Sequence, residues 1–219
     1  MSIPQQENGA VEVYQLRIRL LTISPMISRR IWVRSDSSIA ELHETIQCVM
    51  GWSNEHLHRF VIRGVHYGAN YLHGLSFIDD GRKVRLRDFN FRERERFLYE
   101  YDMFDSWHHE VRFEKRLPLD PAQQYPICIG GRGKTPPEDC GGPEHFMALR
   151  DHYHRVRVLG WMAELLAPIL ENDATPIDRS ELRQAMYWLE IDKFDRHKAN
   201  QRLADHRAGK PYGDYILGG

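Results

Sequence analysis

Between Tyr14 and Leu20 every second residue is apolar, with Tyr14, Leu16, Ile18 and Leu20 set against Gln15, Arg17 and Arg19. Successive side chains of a strand point to opposite faces, so a period of two with one apolar face specifies a half-buried β-strand. After a turn at Ser24 and Pro25 the pattern returns, with Ile31 and Val33 on one face and Arg30, Trp32 and Arg34 on the other. Two such strands across a short turn read as an antiparallel hairpin. A second hairpin is expected where Phe97, Tyr99 and Tyr101 alternate, MFDS turns the chain, and His109, Val111 and Phe113 share the same side of the returning segment from Trp107 to Lys115.

One-sided strands need an apolar layer to cover them, and the chain offers helices. Ser38 followed by Glu41 is a capping box, Leu42, Ile46, Val49 and Met50 keep helical spacing, and Gly51 supplies the left-handed exit. A further strand is expected from Arg59 to Arg63, irregular connection from Gly64 to Gly81, and a short strand from Val84 to Arg87. Leu117 to Pro143 holds six prolines and five glycines and reads as a long wrapped loop without regular structure. Helical patterning resumes from Glu144 to Leu170, with Pro168 disturbing the last turn, then after a capping box at Asp178 and Glu181, and again from Arg196 to His206. The expectation is an α+β fold: a mixed β-sheet with a strand-strand-helix-strand, β-grasp-like opening, followed by C-terminal helices. It amounts to one domain over 11–206 (sheet-rich 11–116, wrapped loop 117–143, helical 144–206) between flexible tails at 1–10 and 207–219.

Thirty Lys and Arg against thirty-one Asp and Glu give a net charge of -1, so binding to nucleic acid or anionic lipid must come from a local patch. The three cysteines make no disulfide framework, no apolar run reaches the roughly 20 residues that span a bilayer, and the start lacks a secretory signal pattern. A cytoplasmic protein with no membrane partner is expected.

Three groups of residues carry candidate chemistry. Arg17, Arg19, Arg30, Trp32 and Arg34 fall on one polar face of the first hairpin, cations around an aromatic ring, which suits phosphates and a stacked base of DNA or RNA. The basic stretch from Gly81 to Phe97 adds Arg82, Lys83, Arg85, Arg87, Arg92, Arg94 and Arg96. The structural alternative is a solvated or helix-covered face with arginines protecting an edge. Asp102, Asp105 and His109 could hold a divalent cation or share acid and base work as catalytic residues, or could be turn formers beside a buried histidine. His109, Cys128 and Cys140 are candidate ligands for zinc or another divalent metal, with His145 a fourth, although cysteines twelve positions apart lack the short spacing of common structural sites. The run Gly130 to Lys134 is no phosphate loop, because no strand is expected to lead into it and Pro136 and Pro137 follow.

Several phrases together resemble one family. Arg30-Ile-Trp-Val, Leu42-His-x-x-Ile-Gln, Gly51-Trp, His56-Leu-His-Arg-Phe60, Tyr99-x-Tyr-Asp-x-x-Asp-x-Trp-x-His109, Pro136-Pro-Glu-Asp-Cys-Gly-Gly142 and Phe194-Asp195 with Asn200 and Leu203 are similar to those of the plasmid open-reading-frame-three-like family of the pRiA type, also labelled insertion-element passenger proteins. Family members read Asp-Phe-Gly-Asp where this chain has Asp102, Met103, Phe104 and Asp105, and commonly carry a cysteine where it has Thr135. The resemblance implies association with plasmids or mobile elements and assigns no catalytic residue. The function expected is therefore a non-enzymatic binding or interaction module with DNA, RNA or a protein as partner. The alternative is a metal-dependent enzyme acting on nucleic acid or a phosphate-bearing substrate, centred on Asp102, Asp105 and His109.

Overall fold

The computed structural model describes residues 10–68, 79–171, 176 and 178–210. Apart from residues 10 and 207–210, the expected tails at 1–10 and 207–219 lie outside the described residues, as do much of the Gly64–Gly81 connection and much of the linker before Asp178. In chain order the elements are β1 (Glu12–Leu20), β2 (Ser28–Arg34), α1 (Ile39–Met50), β3 (His58–Ile62), β4 (Val65–Gly68), β5 (Asp79–Asp80), β6 (Arg96–Tyr101), β7 (Trp107–Pro118), β8 (Ile127–Arg132), α2 (Gly142–His152), α3 (Arg155–Leu170), α4 (Arg179–Leu189) and α5 (Arg196–Arg207).

The strands form one sheet in the order β5-β4-β3-β6-β7-β1-β2-β8. Its neighbours are antiparallel apart from the two-residue parallel pair β4 and β5, so the sheet is mixed and the fold α+β. The opening runs strand, strand, helix, strand as its patterning requires, but β3 lands three positions from β1, with β6 and β7 between them.

Parity decides what covers the sheet. Leu16, Ile18, Ile31, Val33, Phe60, Tyr99, Val111 and Phe113 are all buried in one core cluster together with Leu42, Ile46 and Val49 of α1. Ser38 Oγ accepts from Glu41 N–H at 3.1 Å while Glu41 Oε2 accepts from Ser38 N–H at 2.6 Å, and Gly51 ends the helix at φ 84°. That reciprocal cap satisfies donors the first helical turn leaves unpaired. Helix α5 lies against α1 and β8: Arg202 Nε donates to Cys48 O, and Asn200 exchanges hydrogen bonds with the backbone of Cys128 at 2.8 and 2.9 Å.

Four local expectations are corrected. The Pro- and Gly-rich wrap from Leu117 to Pro143 contains β8, an edge strand on β2, and so Gly130 and Gly131 lie within a strand. Val84 to Arg87 is not a strand; Leu86–Phe89 forms a 3-10 turn, tied by a single bridge from Arg85 to Ser38. The helical stretch from Glu144 to Leu170 breaks at Tyr153 and His154 into α2 and α3, with Pro168 in the last turn of α3. Asp178 caps α4 by accepting from Ser180 and Glu181 N–H, without the reciprocal half of a capping box.

Candidate functional site

The open face of the sheet is built by the residues whose parity is opposite to the core. Registers Arg30↔Arg17, Arg17↔Arg112 and Arg112↔Arg96 place four arginines side by side across β2, β1, β7 and β6. Strands lie about 4.8 Å apart, so the row extends about 14 Å. Trp32, two residues from Arg30 on the same strand face, lies opposite Gln15 and donates its indole N–H to Gln15 Oε1 at 2.9 Å. The five residues expected on this face, Arg17, Arg19, Arg30, Trp32 and Arg34, therefore share it, and Arg19, Arg30 and Arg34 keep 42–44% of their side-chain surface exposed.

Carboxylates neutralise part of the row. Glu114 receives both Arg30 Nε and Nη2 at 2.7 and 2.9 Å and Gln15 Nε2 at 2.6 Å. Burial alone would raise the Glu114 carboxyl, but these donors outweigh it and hold it below the ordinary range. Glu110 takes Arg96 at 3.0 Å and Arg19 at 3.7 Å, and Arg34 pairs with Asp36. The centre of the row is different. Arg17 reaches the sulfur of Met26, and Arg112 has no hydrogen bond or ion pair among the described residues. Like charges directly opposite each other on a sheet destabilise it. Arg112 thus carries uncompensated charge, while Arg17 makes no ion pair and feels only the nearby Glu114 carboxylate. Arg112 was missed in the sequence, although its place between Val111 and Phe113 gives its face.

On the core side the candidate catalytic group comes apart. His109 is fully buried, with ring Nδ1 3.0 Å from Trp107 O and its ring edge-on to Trp52. Desolvation pushes its pKa down to about 3, so the ring is neutral and is no base at ordinary pH. Asp102 stands at φ 53°, and its Oδ1 accepts from Phe104 and Asp105 N–H, the ordinary work of a turn aspartate. The family glycine missing from this turn is accommodated because Asp102 and Ser106 take the left-handed positions while Phe104 stands 96% exposed with ordinary φ. Asp105 Oδ2 accepts from Gly141 N–H, joining the turn to the start of α2. Gly142 is required there, since a Cβ would sit 2.6 Å from Asp105 O at φ 78°.

His109, Cys128 and Cys140 form no common ligand set. Among the described residues the one trio of metal-binding side chains with donor atoms within 4.8 Å of one another is His56, Asp102 and Asp139. His56 Nε2 lies 3.0 Å from an Asp139 carboxylate oxygen and His56 Nδ1 3.8 Å from one of Asp102. Cys128 is buried against β2, and burial raises its thiol; burial together with Asp105 pushes the Cys140 thiol up to about 12. Neither is poised as a thiolate ligand or nucleophile.

The sequence contains no obvious signal for a second polar cluster within the core. His43 and His58 stack with ring centroids 3.4 Å apart and 5° between planes. His43 Nε2 meets Asn54 Oδ1 at 2.6 Å, which makes Nε2 the donor and leaves Nδ1 to accept from the Tyr99 hydroxyl at 2.8 Å; Gln47 Nε2 donates to the same hydroxyl. Burial drives His58 down to about 4, and burial with the neighbouring His58 drives His43 well below its usual value.

A family model described as plasmid pRiA4b ORF-3-like protein matches residues 12–168, from the start of β1 into α3. Uncharacterized protein y4hQ of Sinorhizobium fredii is 33% identical over 156 residues, 68% of this chain and 80% of that protein. The crystal structure of a protein of unknown function, MM3350 from Methanosarcina mazei Go1, is 30% identical with a TM-score of 0.62, covering 86% of this chain and 98% of that one. No helix among the described residues is long and apolar enough to cross a membrane.

Proposed function

The chain belongs to the plasmid pRiA4b ORF-3-like family, and on that premise we propose that it is a nucleic-acid-binding module that takes single strands on the open face of its sheet. The observation that carries this reading is the row Arg30, Arg17, Arg112 and Arg96 with Trp32 beside it. Four guanidinium groups abreast on one flat surface repel one another, and a run of phosphates offsets that repulsion by replacing condensed counterions with fixed ones. Glu110 and Glu114 hold the outer arginines in place, whereas Arg17 and Arg112 remain available at the centre. A sheet face with a half-buried indole among its arginines suits unpaired bases, which stacking platforms accept irrespective of sequence.

The reading is of binding, not turnover. Asp102 and Asp105 accept turn and helix-start N–H groups, and His109 is held in the core.

Fluorescence anisotropy of a labelled single-stranded oligonucleotide tests it. Trp32→Ala is expected to weaken binding by about 1–3 kcal/mol, the usual worth of one stacked base. An affinity unchanged in both Trp32→Ala and Arg112→Ala would remove the sheet face from the account.

A further inference from the structure

The other side of the sheet holds a cleft of about 580 Å³, between the end of α1, the segment 134–138, α4 and the start of α5. That volume is in the range of small-molecule sites. Its charge is one-sided. Arg29, Lys134, Arg183, Lys193, Lys198 and Arg202 line it, against Glu138 and Asp195. Both acids are already engaged by the chain: Glu138 accepts from the Tyr101 hydroxyl and Ser53 N–H, each at 2.6 Å, and Asp195 caps α5 through Lys198 N–H at 2.9 Å. Glu190, outside the lining, takes Lys134 and Lys193. The Lys198 ammonium has no partner among the described residues.

Arg29 makes this more than a basic groove. It lies on the core face of β2, 2% exposed, and donates to Val49 O, Ser28 O, Arg132 O and Thr135 Oγ1. All four acceptors are neutral, and they account for four of the five guanidinium N–H groups. A buried cation without an anion is costly to keep, and one N–H is left over. The Phe194 ring covers the guanidinium at 4.1 Å, and Gly131 makes room for that ring, since a Cβ there would come within 2.6 Å of it. Burial lowers the Arg29 pKa to about 9, which leaves it charged at neutral pH. Met50, Pro136, Leu182 and Met186 supply an apolar wall, and Met186 is 38% exposed, more than an α-helical methionine serving only the core requires.

We infer that this cleft binds a small phosphate ester with a flat apolar body, of the nucleoside monophosphate class, its phosphoryl group against the cations and its ring against the methionine and proline wall. The ligand supplies the negative charge that Arg29 and Lys198 lack. The inference is independent of the sheet-face reading, because Arg29 and Arg30 point to opposite sides of β2.

Isothermal titration calorimetry of the full chain with AMP, inorganic phosphate and adenosine tests it. The expected result is saturable one-to-one binding of AMP, at least tenfold tighter than either fragment. Lys198→Glu is expected to weaken AMP at least tenfold while folding normally, because position 198 is in the first turn of α5, where the helix dipole favours an acid. Arg112→Ala, on the open sheet face, is expected to leave AMP binding unchanged. Phosphate binding as tightly as AMP, or Lys198→Glu binding like the wild type, overturns the inference. Loss of AMP binding in Arg112→Ala overturns it too, by moving the ligand to the sheet while leaving the nucleic-acid reading intact.

Discussion

His58→Phe gives the sharpest test of the polar cluster inside the core. His58 is 7% exposed, its ring lies flat on His43, and its pKa is lowered to about 4 by burial. In the unfolded chain a histidine titrates at about 6.5. Between those values the unfolded state binds a proton that the folded state refuses. The stabilisation is therefore complete above about pH 6.5 and is lost as pH falls toward 4. At pH 5 the loss from His58 alone is about 2 kcal/mol, a large share of the about 5–15 kcal/mol that holds a domain of this kind folded. Phenylalanine keeps a flat ring on His43 and removes both the proton acceptor and the buried Nδ1, which has no hydrogen-bond partner among the described residues. Urea unfolding followed by tryptophan fluorescence at pH 7 and pH 5 measures the difference. The wild type should lose about 2 kcal/mol more than His58→Phe over that interval. Equal losses in the two proteins would refute the buried, neutral stack. His109, pushed to about 3 by desolvation, acts in the same direction and sharpens the acid transition of both proteins alike.

Three further outcomes follow from local geometry. Ser38→Ala removes the acceptor of the α1 cap and should cost about 1 kcal/mol in urea unfolding, with no change in oligonucleotide binding. Because His109, Cys128 and Cys140 do not converge, replacing Cys128 and Cys140 together by serine should leave the zinc content of protein purified without a histidine tag unchanged by elemental analysis, and loss of a stoichiometric zinc in that variant would contradict the structure. Cys140, with its thiol pushed up to about 12, should react with iodoacetamide at pH 8 far more slowly than a free cysteine; a rate like that of the free thiol would show the 138–142 segment to be open.

The parts of the fold that alternation and capping govern were legible from residues alone. Both hairpins, α1 with its Ser38–Glu41 box and Gly51 exit, and the placing of Arg17, Arg30 and Trp32 on one face each depend on a spacing of a few residues. What was hidden depends on partners distant in sequence. Strand β8 carries Gly130 and Gly131 because Phe194, more than sixty residues on, packs against Gly131, and locally that reads as loop. The break between α2 and α3 uses a histidine as its cap: His154 Nδ1 accepts from Arg157 N–H, and imidazole is no ordinary N-cap signal. Arg112 could be assigned a face but not a neighbour, because its place beside Arg17 rests on the β1–β7 register and its irregularity after Gln15. Arg29 was the legible clue left unused. It shares the parity of Ile31 and Val33, which puts a guanidinium on the core side of β2 and, in the folded chain, at the floor of the cleft.

The salt dependence of single-stranded oligonucleotide binding tests the sheet-face proposal most directly. Each phosphate neutralised on a single strand contributes about 0.7 to the slope of log K against log salt concentration. Removing Arg17 and Arg112 together should therefore flatten that slope by about 1.4 while leaving stability within about 0.5 kcal/mol of the wild type, since neither makes an ion pair among the described residues. A double variant that binds with the wild-type slope would contradict the claim that the central arginines of the row hold phosphates.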